Sequence, residues 1–205
     1  MATGLDSGGW DRRYSGRDLV WTAQPNRFLV AETEALAPGR AIDLACGEGR
    51  NAIWLAERGW HAVGVDFSGI GLQKAREFAA ARGVSVAWVL ADLLEYHPEP
   101  RAFDLALIFY LQLPAAQRRS VVRAAAEAVA PGGTFLLVAH DSSNLQHGHG
   151  GPQNPAVLYS ALDVLGDLDG AGLVVERADC VQRPVETVDG DRVALDALVR
   201  ARRPD

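Results

Sequence analysis

The sequence is poor in the residues that metal sites, disulfide frameworks and nucleic-acid interfaces need. Its 205 residues include two cysteines, Cys46 and Cys180, which lie far apart and form neither a disulfide framework nor a zinc-ligand spacing. Lysine occurs once, at Lys74, and the formal net charge is −6. Since nucleic acids and anionic membranes both bind basic patches, this charge argues against either kind of partner.

Long hydrophobic runs are also missing. No segment is long enough to span a bilayer, and residues 1–14 are polar and contain no apolar signal-peptide core. We therefore predict a cytoplasmic protein without a membrane partner. With 48% hydrophobic residues the chain can bury a full core. Its length predicts a single domain over residues 1–205, with an N-terminal leader and helix over 1–39 and a catalytic core over 40–205.

A glycine turn follows the first apolar segment. Residues 41–45 form a short apolar run around Asp43, Gly47 and Gly49 follow, and an apolar helical pattern covers residues 51–58. Glycine permits positive φ and lets a ligand approach the backbone closely. A strand, a glycine loop and a helix in this order open many nucleotide-binding α/β folds, because the helix N-terminus presents free N–H groups to the ligand.

Alternating strand and helix patterns continue along the chain. The predicted strands cover residues 41–45, 60–65, 84–90, 103–109, 134–139, 173–181 and 192–200. The predicted helices cover residues 25–36, 51–58, 68–82, 114–129 and 156–168, and Ser68 is the N-cap of the third. An acidic Asp-Gly turn within residues 186–191 predicts a hairpin between the last two strands. The pattern predicts a doubly wound α/β fold with a mostly parallel seven-stranded sheet and an antiparallel last strand.

Three predicted strands end in carboxylates, at Asp43, Asp66 and Asp92. The glycine loop fits the G-x-G-x-x-G/A dinucleotide fingerprint, with Asp66 at a suitable distance. However, Asp43 would repel a pyrophosphate and attract an amino group, and the only basic residue of the loop is Arg50. These features suit a ligand with an amine, a ribose diol and a base but no phosphate, and S-adenosylmethionine (SAM) is such a ligand.

The sequence resembles the class I SAM-dependent methyltransferases over roughly its whole length. Residues 43–49 look like the first motif of that family, residues 65–68 like the second and residues 91–93 like the third, and the Ala-Pro-Gly-Gly turn at 130–133 is also typical of it. The resemblance implies a Rossmann-like sheet, SAM as cofactor and S-adenosylhomocysteine as product. Family members also fold an N-terminal segment over the cofactor. Here the candidates are Trp10, Tyr14, Trp21 and Asn26, although the aromatic residues could instead pack a helix onto the sheet.

Ligands of open α/β sheets bind at the carboxyl ends of the strands. The position of each candidate residue at a strand end therefore suggests which part of the cofactor it contacts. Asp66 would accept hydrogen bonds from the ribose, Phe67 would pack on adenine, and Asp92 would accept from the adenine amino group. The alternatives are helix capping for the two aspartates and core packing for Phe67. Cys46 is interpreted as a small loop residue, since no paired histidine supports a nucleophile. The predicted cofactor-binding residues are Trp21, Asp43, Ala45, Cys46, Gly47, Gly49, Asn51, Asp66, Phe67, Asp92, Leu93 and Phe109.

Candidates for catalysis follow the fourth and fifth predicted strands. In the family the end of the fourth strand lies beside the sulfonium, so Tyr110 and Gln112 could face the acceptor. His140 and Asp141 end the fifth strand and could deprotonate a hydroxyl or thiol. Adjacent strand residues point to opposite faces, however, and loop-start hydrogen bonding explains the pair equally well. We predict Tyr110, His140 and Asp141 as the catalytic residues.

A glycine- and histidine-rich loop covers residues 142–155 and contains His147 and His149. Together with His140 they suggest a metal site, but an H-x-H pattern in a glycine loop without further ligands is insufficient, so we predict no metal. A mobile lid over the acceptor is the better interpretation, since long loops of compact domains are usually functional.

These observations predict a SAM-dependent methyltransferase that acts on a small molecule. The chain has no Asn-Pro-Pro-Tyr motif after the fourth strand, which nucleic-acid amino methyltransferases of this fold use. The short chain most resembles the tellurite-resistance and thiol-methylating members, and a thiol, a chalcogen oxyanion or a phenol would suit as acceptor. The alternatives are an NAD(P)-dependent Rossmann oxidoreductase and a non-catalytic SAM-binding protein.

Overall fold

Helices and strands alternate through most of the chain. The computed structural model describes residues 6–16, 18–20, 22–188 and 190–205. Within them the helices are α1 Ser7–Tyr14, α2 Arg27–Thr33, α3 Arg50–Ala56, α4 Gly69–Ala81, α5 Ala115–Ala128, α6 Asn144–His147 and α7 Ala161–Leu168. The strands are β1 Arg40–Leu44, β2 His61–Asp66, β3 Ala87–Leu90, β4 Phe103–Phe109, β5 Val129–His140, β6 Val174–Val185 and β7 Arg192–Arg202.

All of these strands join one sheet in the order β3-β2-β1-β4-β5-β7-β6. The pairs from β3 across to β5 are parallel, and β7 is antiparallel to both β5 and β6. The predicted doubly wound sheet with an antiparallel last strand is therefore confirmed. The strand order reverses between β1 and β4, and the crevice at such a point is where open α/β sheets bind ligands.

Two hydrophobic clusters cover the two faces of the sheet. Successive strand residues point to opposite faces, so Ala106 and Ile108 of β4 join the cluster that contains α5 and α7 residues. Leu105 and Leu107 of the same strand join the cluster that contains residues of α2 and α3. All four side chains are fully buried, as expected for a central parallel strand.

Several elements differ from the sequence prediction, mainly because side-chain caps set their ends. Helix α1, which the sequence pattern did not predict, begins at Ser7, where the Asp6 side chain accepts a hydrogen bond from Gly9 N. Helix α7 begins at Ala161 and not at residue 156, because Ser160 and Asp163 form a capping box. The third strand is shorter than predicted, and the loop at 142–155 contains the short helix α6.

Among the described residues, no helix combines the length and the apolar character needed to cross a bilayer.

Candidate functional site

A cavity of about 520 Å³ opens at the carboxyl ends of the central strands. Its glycine-loop half is lined by residues 45–48, 50–51, 66–67 and 92–93, which follow β1, β2 and β3. Its hairpin half is lined by residues 109–113, 140, 183 and 184, which come from β4, β5 and β6. Leader residues 10, 14, 19, 20, 22 and 25–27 also line it. The volume suits a cofactor and a small second ligand.

Most of the predicted site residues line this cavity. The exceptions among the described residues are Asp43, Gly49 and Asp141. Trp21, also predicted to bind the cofactor, lies outside the described residues.

The chain leaves both central strands in a left-handed conformation. Ala45 after β1 has φ 65°, and Tyr110 after β4 has φ 56°. Such values are unfavourable for residues with a Cβ and cost about 1–3 kcal/mol each, so they persist only where the surroundings fix them. The two strained residues lie on neighbouring parallel strands and both line the cavity.

Different neighbours exclude a side chain at Gly47 and at Gly49. Both have positive φ, 55° and 79°. A Cβ on Gly47 would lie 2.7 Å from the Tyr14 hydroxyl of the leader, so this glycine admits the leader to the loop. A Cβ on Gly49 would overlap the Trp88 ring and lie 2.9 Å from the Cβ of Ala75. Packing behind the loop explains Gly49, whereas the sequence prediction had placed a ligand against it.

Asp43 is a buried carboxylate whose negative charge is only partly compensated. It is 2% exposed, and neither oxygen makes a hydrogen bond of normal geometry with the described part of the chain. Burial raises the pKa of Asp43 to about 7, and the negative charge of Asp66 adds to this, while Arg50 and the Ala52 amide oppose it. An uncompensated buried charge is costly, so a positively charged ligand group at this strand end would be stabilised.

Asp66 supports the glycine loop as well as lining the cavity. Its Oδ2 accepts from Gly47 N at 2.8 Å and its Oδ1 from Ser68 N at 2.9 Å. Burial raises its pKa, and these backbone hydrogen bonds partly counter the shift. The N-cap of α4 is Ser68, as predicted, since its hydroxyl accepts from Gly71 N. Each carboxylate oxygen of Asp66 retains acceptor capacity toward the cavity.

The other glycine-loop residues form the walls. Phe67 and Leu93 are half-buried beside the cavity, and Asp92 is exposed, with its Oδ1 accepting from Leu94 N. Cys46 is buried, and burial followed by the charges of Asp66 and Asp43 raises its thiol pKa. A thiol with a raised pKa stays protonated, which agrees with its interpretation as a small loop residue.

The leader is fastened to the glycine loop through Glu48. This side chain, 3% exposed, accepts from Val20 N with both oxygens, at 3.1 and 2.9 Å. Lys74 of α4 donates to Glu48 Oε1 at 3.0 Å. The main-chain N–H of Asn26 donates to Asn51 Oδ1 at 2.9 Å. The loop and the helix after it therefore position the leader over the cavity.

A polar cluster occupies the hairpin half. The Tyr110 hydroxyl donates to Asp196 Oδ2 at 2.8 Å and accepts from Asn26 Nδ2 at 3.2 Å. Arg183 Nε donates to the same Asp196 oxygen at 2.7 Å, and the rings of Tyr110 and His140 lie 4.7 Å apart. Burial, followed by the nearby Asp196 charge, raises the pKa of Tyr110 to about 12. Tyr110 is therefore a neutral hydrogen-bonding group at neutral pH.

Asp141 does not belong to this cluster. Its Oδ1 accepts from the main-chain N–H and the hydroxyl of Ser143, at 2.8 and 2.6 Å. This agrees with the alternative that Asp141 forms hydrogen bonds at the start of the loop. The carboxylate close to His140 is Asp196, which lies opposite it in the β5–β7 register, with His140 Nδ1 at 3.5 Å from Asp196 Oδ1.

Residues 142–155 do not line the cavity. Asn144 joins this loop to β7, since its side chain donates to Gly150 O and accepts from Leu195 N. Gly151 packs against the His140 ring. Within the described ranges, no group of three or more His, Cys, Asp or Glu side chains is placed to hold a metal ion.

Sequence reasoning missed Asp196, Arg183 and Glu48. Glu48 lies inside the glycine loop, and its pairing with Lys74 connects residues 26 positions apart. Asp196 and Arg183 come from the terminal hairpin, which was predicted as a structural element without site residues. Only the register of β5 against β7 brings Asp196 to His140, and the alternation of apolar residues in a strand does not specify its partner residue by residue.

Comparisons with known proteins point to one family. Residues 41–133 match a family model described as a methyltransferase domain. The chain is 29% identical to the 2-heptyl-1-hydroxyquinolin-4(1H)-one methyltransferase of Mycobacteroides abscessus, over 58% of this chain and 54% of that protein. It is 34% identical to the demethylmenaquinone methyltransferase of Thermus thermophilus, over 60% of this chain and 55% of that protein.

The chain thus spans about half the length of the curated relatives it matches. Among solved structures, the N-methyltransferase NodS of Bradyrhizobium japonicum in complex with S-adenosylhomocysteine superposes with a TM-score of 0.73 at 18% identity. The superposition covers 97% of this chain and 98% of NodS. At this identity the likeness concerns the fold.

Proposed function

We propose that this chain is a class I SAM-dependent methyltransferase and that it transfers the methyl group of SAM to a small-molecule acceptor. The observation that carries the proposal is Asp43. Its buried, unpaired carboxylate precedes the glycine loop at the switch point of the sheet, where the ligand's ammonium group would compensate its charge.

The residues of the glycine-loop half fit the remaining parts of the cofactor. Asp66 has acceptor capacity for the ribose hydroxyls. Phe67 and Leu93 provide apolar walls for adenine, and Asp92 lies on the same side for its amino group. Arg50 lines the cavity close enough to Asp43 for their charges to interact, and it would pair with the methionine carboxylate.

When bound, SAM supplies an activated methyl carbon, which forms a bond to the acceptor's nucleophilic atom while the carbon–sulfur bond breaks and its electron pair stays on sulfur. The chain's own contribution is alignment, because fixing two reactants in the productive geometry can lower the barrier by about 7–11 kcal/mol. The leader, held by Glu48 and by Asn51, would exclude water from this space.

The hairpin half would hold the acceptor. Its walls are apolar and aromatic, from Phe109 to Leu113, with Tyr110 and His140 as the polar groups. Tyr110 would orient the acceptor by hydrogen bonding, and His140 would remove its proton. The cavity volume and the net charge of −6 favour a small molecule over a nucleic acid. The relatives above are named for a hydroxyquinolinone and for demethylmenaquinone, both small molecules. The tellurite- or thiol-type acceptor and the cytoplasmic location stay predictions.

Two measurements test the proposal. Titration calorimetry is expected to show binding of SAM and S-adenosylhomocysteine and none of NADH, and the reverse result would favour a nicotinamide oxidoreductase. Purified protein supplied with tritiated SAM and cell extract is expected to label a low-molecular-weight fraction. Label that elutes chiefly with RNA, DNA or protein after gel filtration would refute a small acceptor, and binding without any transfer would indicate a non-catalytic SAM-binding protein.

A further inference from the structure

Asp196 is the most heavily used side chain of the hairpin half. It lies on β7 and is 0% exposed, and it does not itself line the cavity. Its two oxygens face three residues that do: Tyr110 at 2.8 Å, Arg183 at 2.7 and 3.4 Å, and His140 at 3.5 Å. These residues come from three different strands or strand ends, so one carboxylate connects the whole polar part of the hairpin half.

Complete burial of a carboxylate is unfavourable unless donors compensate it. Burial alone would raise the pKa of Asp196, but the nearby His140, the hydrogen bonds from Arg183 and Tyr110 and the Arg183 charge outweigh burial and hold its pKa below the usual value. Asp196 is therefore ionised. Its charge is balanced by Arg183, so the cluster as a whole does not repel an anion that forms in the cavity.

His140 is positioned on several sides. Its ring packs against Tyr110 and against Gly151, where a Cβ would come within 3.0 Å of Nδ1. Nδ1 is buried and makes no hydrogen bond of normal geometry within the described ranges, and the carboxylate that faces it is Asp196, with Oδ1 at 3.5 Å. A carboxylate beside Nδ1 favours the tautomer that carries its proton there, which leaves the lone pair of Nε2 available.

We propose that Asp196 is a positioning residue which holds His140 as the general base for an acceptor with an ionisable hydroxyl of the phenol type. The inference rests on the function proposed above and names the acceptor class of the same site. In this step Nε2 of His140 takes the hydroxyl proton, and the oxygen lone pair thus set free attacks the methyl carbon. The resulting imidazolium is stabilised by Asp196 and later returns the proton to water.

The lining of the hairpin half supports this acceptor class. Phe109, Leu111, Leu113 and Pro184 offer apolar surfaces that suit a flat aromatic ring. A phenol has a pKa near 10, like tyrosine, and is a weak nucleophile at neutral pH until a base removes its proton. An oxyanion or an ionised thiol would need no such base, so the buried Asp196–His140 pair would have no function toward it.

Charged and polar groups from several elements surround His140. Asp196 faces it from β7 and Tyr110 from the end of β4, while Arg183 of β6 pairs with Asp196 and lies over the Tyr110 ring. Asp141 follows on its own strand and is turned toward Ser143. Without the Asp196 charge the imidazolium that forms during the reaction is less stable, so the proton transfer to His140 is slower.

The test is Asp196→Asn, assayed with para-substituted phenols of graded acidity. We expect a loss in kcat of about 100-fold with weakly acidic phenols, the usual contribution of general base catalysis, and little loss with phenols already ionised. The KM for SAM should change little, so the loss should appear in kcat. Asp196→Asn should have no further effect in a His140→Gln background, because Asp196 acts through His140.

Asp167→Asn is the matched control. Asp167 is also 0% exposed and paired with two arginines, Arg118 at 2.6 Å and Arg119 at 3.1 Å, but it lies on α7 and away from the cavity. It should lose stability and keep the wild-type kcat with every phenol. An equal loss in kcat with every phenol, or an unchanged penalty in the His140→Gln background, would show that Asp196 is merely structural.

The tautomer of His140 gives a readout that needs neither a variant nor turnover. Nitrogen NMR of the wild-type protein should show the proton on Nδ1, and a proton on Nε2 would overturn the proposal even if Asp196→Asn fails to fold. Wild-type protein that binds SAM but methylates none of the phenols would refute the phenol class while leaving the methyltransferase function intact. Failure to bind SAM at all would instead refute the proposed function.

Discussion

Asp43 and Asp196 are two buried aspartates in the two halves of one cavity, and their surroundings are opposite. Asp43 lacks a hydrogen bond of normal geometry with the described part of the chain, and its pKa is raised to about 7 by burial and by Asp66. Asp196 is surrounded by donors that overcome burial and lower its pKa. One charge is left for a ligand to compensate, while the other is already compensated and orders its neighbours.

The same contrast extends through both halves. In the glycine-loop half, residues predicted to contact the cofactor also support the loop: Asp66 accepts from Gly47 and Ser68, and Gly49 packs against Trp88. In the hairpin half, polar side chains mainly satisfy one another across strands. Substitutions in the first half should therefore affect stability and cofactor affinity together.

The largest expected effect is on stability, at Gly49. Gly49→Ala should destabilise the fold by about 3 kcal/mol, since a left-handed residue with a Cβ costs about 1–2 kcal/mol and overpacking against Trp88 a further 1–3. Gly83→Ala is the matched control, because Gly83 also has positive φ, at 67°, but has open space around its Cα. Gly83→Ala should lower the free energy of unfolding only by the cost of the left-handed backbone conformation. Urea unfolding compares the two, and equal losses would show that contact with Trp88 is unimportant.

Gly49 also shows which features of the glycine-loop half could be predicted from the sequence and which could not. The loop, the acids near its strand ends and the N-cap at Ser68 all follow from spacing over short stretches of chain. The structure confirms the N-cap and places Asp66 and Asp92 at the cavity, whereas Asp43 does not line it. The reason for Gly49 did not follow, because Trp88 comes from β3, about forty residues further along, and no local pattern shows that its ring fills the space behind the loop.

The hairpin half was predictable only in part. Tyr110 and His140 were found because they follow apolar strands whose carboxyl ends meet at one edge of a parallel sheet. Asp141 was chosen as the partner of His140 because it is adjacent in sequence, yet adjacent strand residues face opposite sides. The carboxylate that lies close to His140 is Asp196, which is 56 residues away and reaches it through the β5–β7 register. Register depends on tertiary packing and not on local propensity.

The next largest expected effect is on the affinity for SAM, at Asp66. This residue both supports the glycine loop and is predicted to bind the cofactor. If it holds the ribose, Asp66→Ala should weaken SAM by about 1.5–3 kcal/mol, the usual range for hydrogen bonds to a charged group. The exposed Asp92 is the control, and Asp92→Ala should cost less because water competes for its hydrogen bonds. Calorimetry measures both affinities.

Because Asp66 also accepts from Gly47 and Ser68, weaker binding alone could reflect a disturbed loop. A 2′,3′-dideoxy analogue of SAM separates the two effects. It should bind wild type and Asp66→Ala with similar affinity. A variant that still prefers the natural diol would show that Asp66 only supports the loop.

The smallest effect is a pH dependence that arises from the unpaired Asp43. At pH values below about 7 its carboxyl is largely protonated, and binding the ligand's ammonium group must release that proton. SAM affinity should therefore fall as the pH falls, by at most tenfold or about 1.4 kcal/mol per unit below pH 7. The ligand's amino group, with a pKa near 8, stays charged in this range, so it does not contribute to the slope. Asp43→Asn should bind SAM weakly with a flat profile between pH 5.5 and 7. Calorimetry across this range tests the assignment: an equally steep slope in Asp43→Asn would assign the titration to another group and leave Asp43 as a carboxylate without a role in binding SAM.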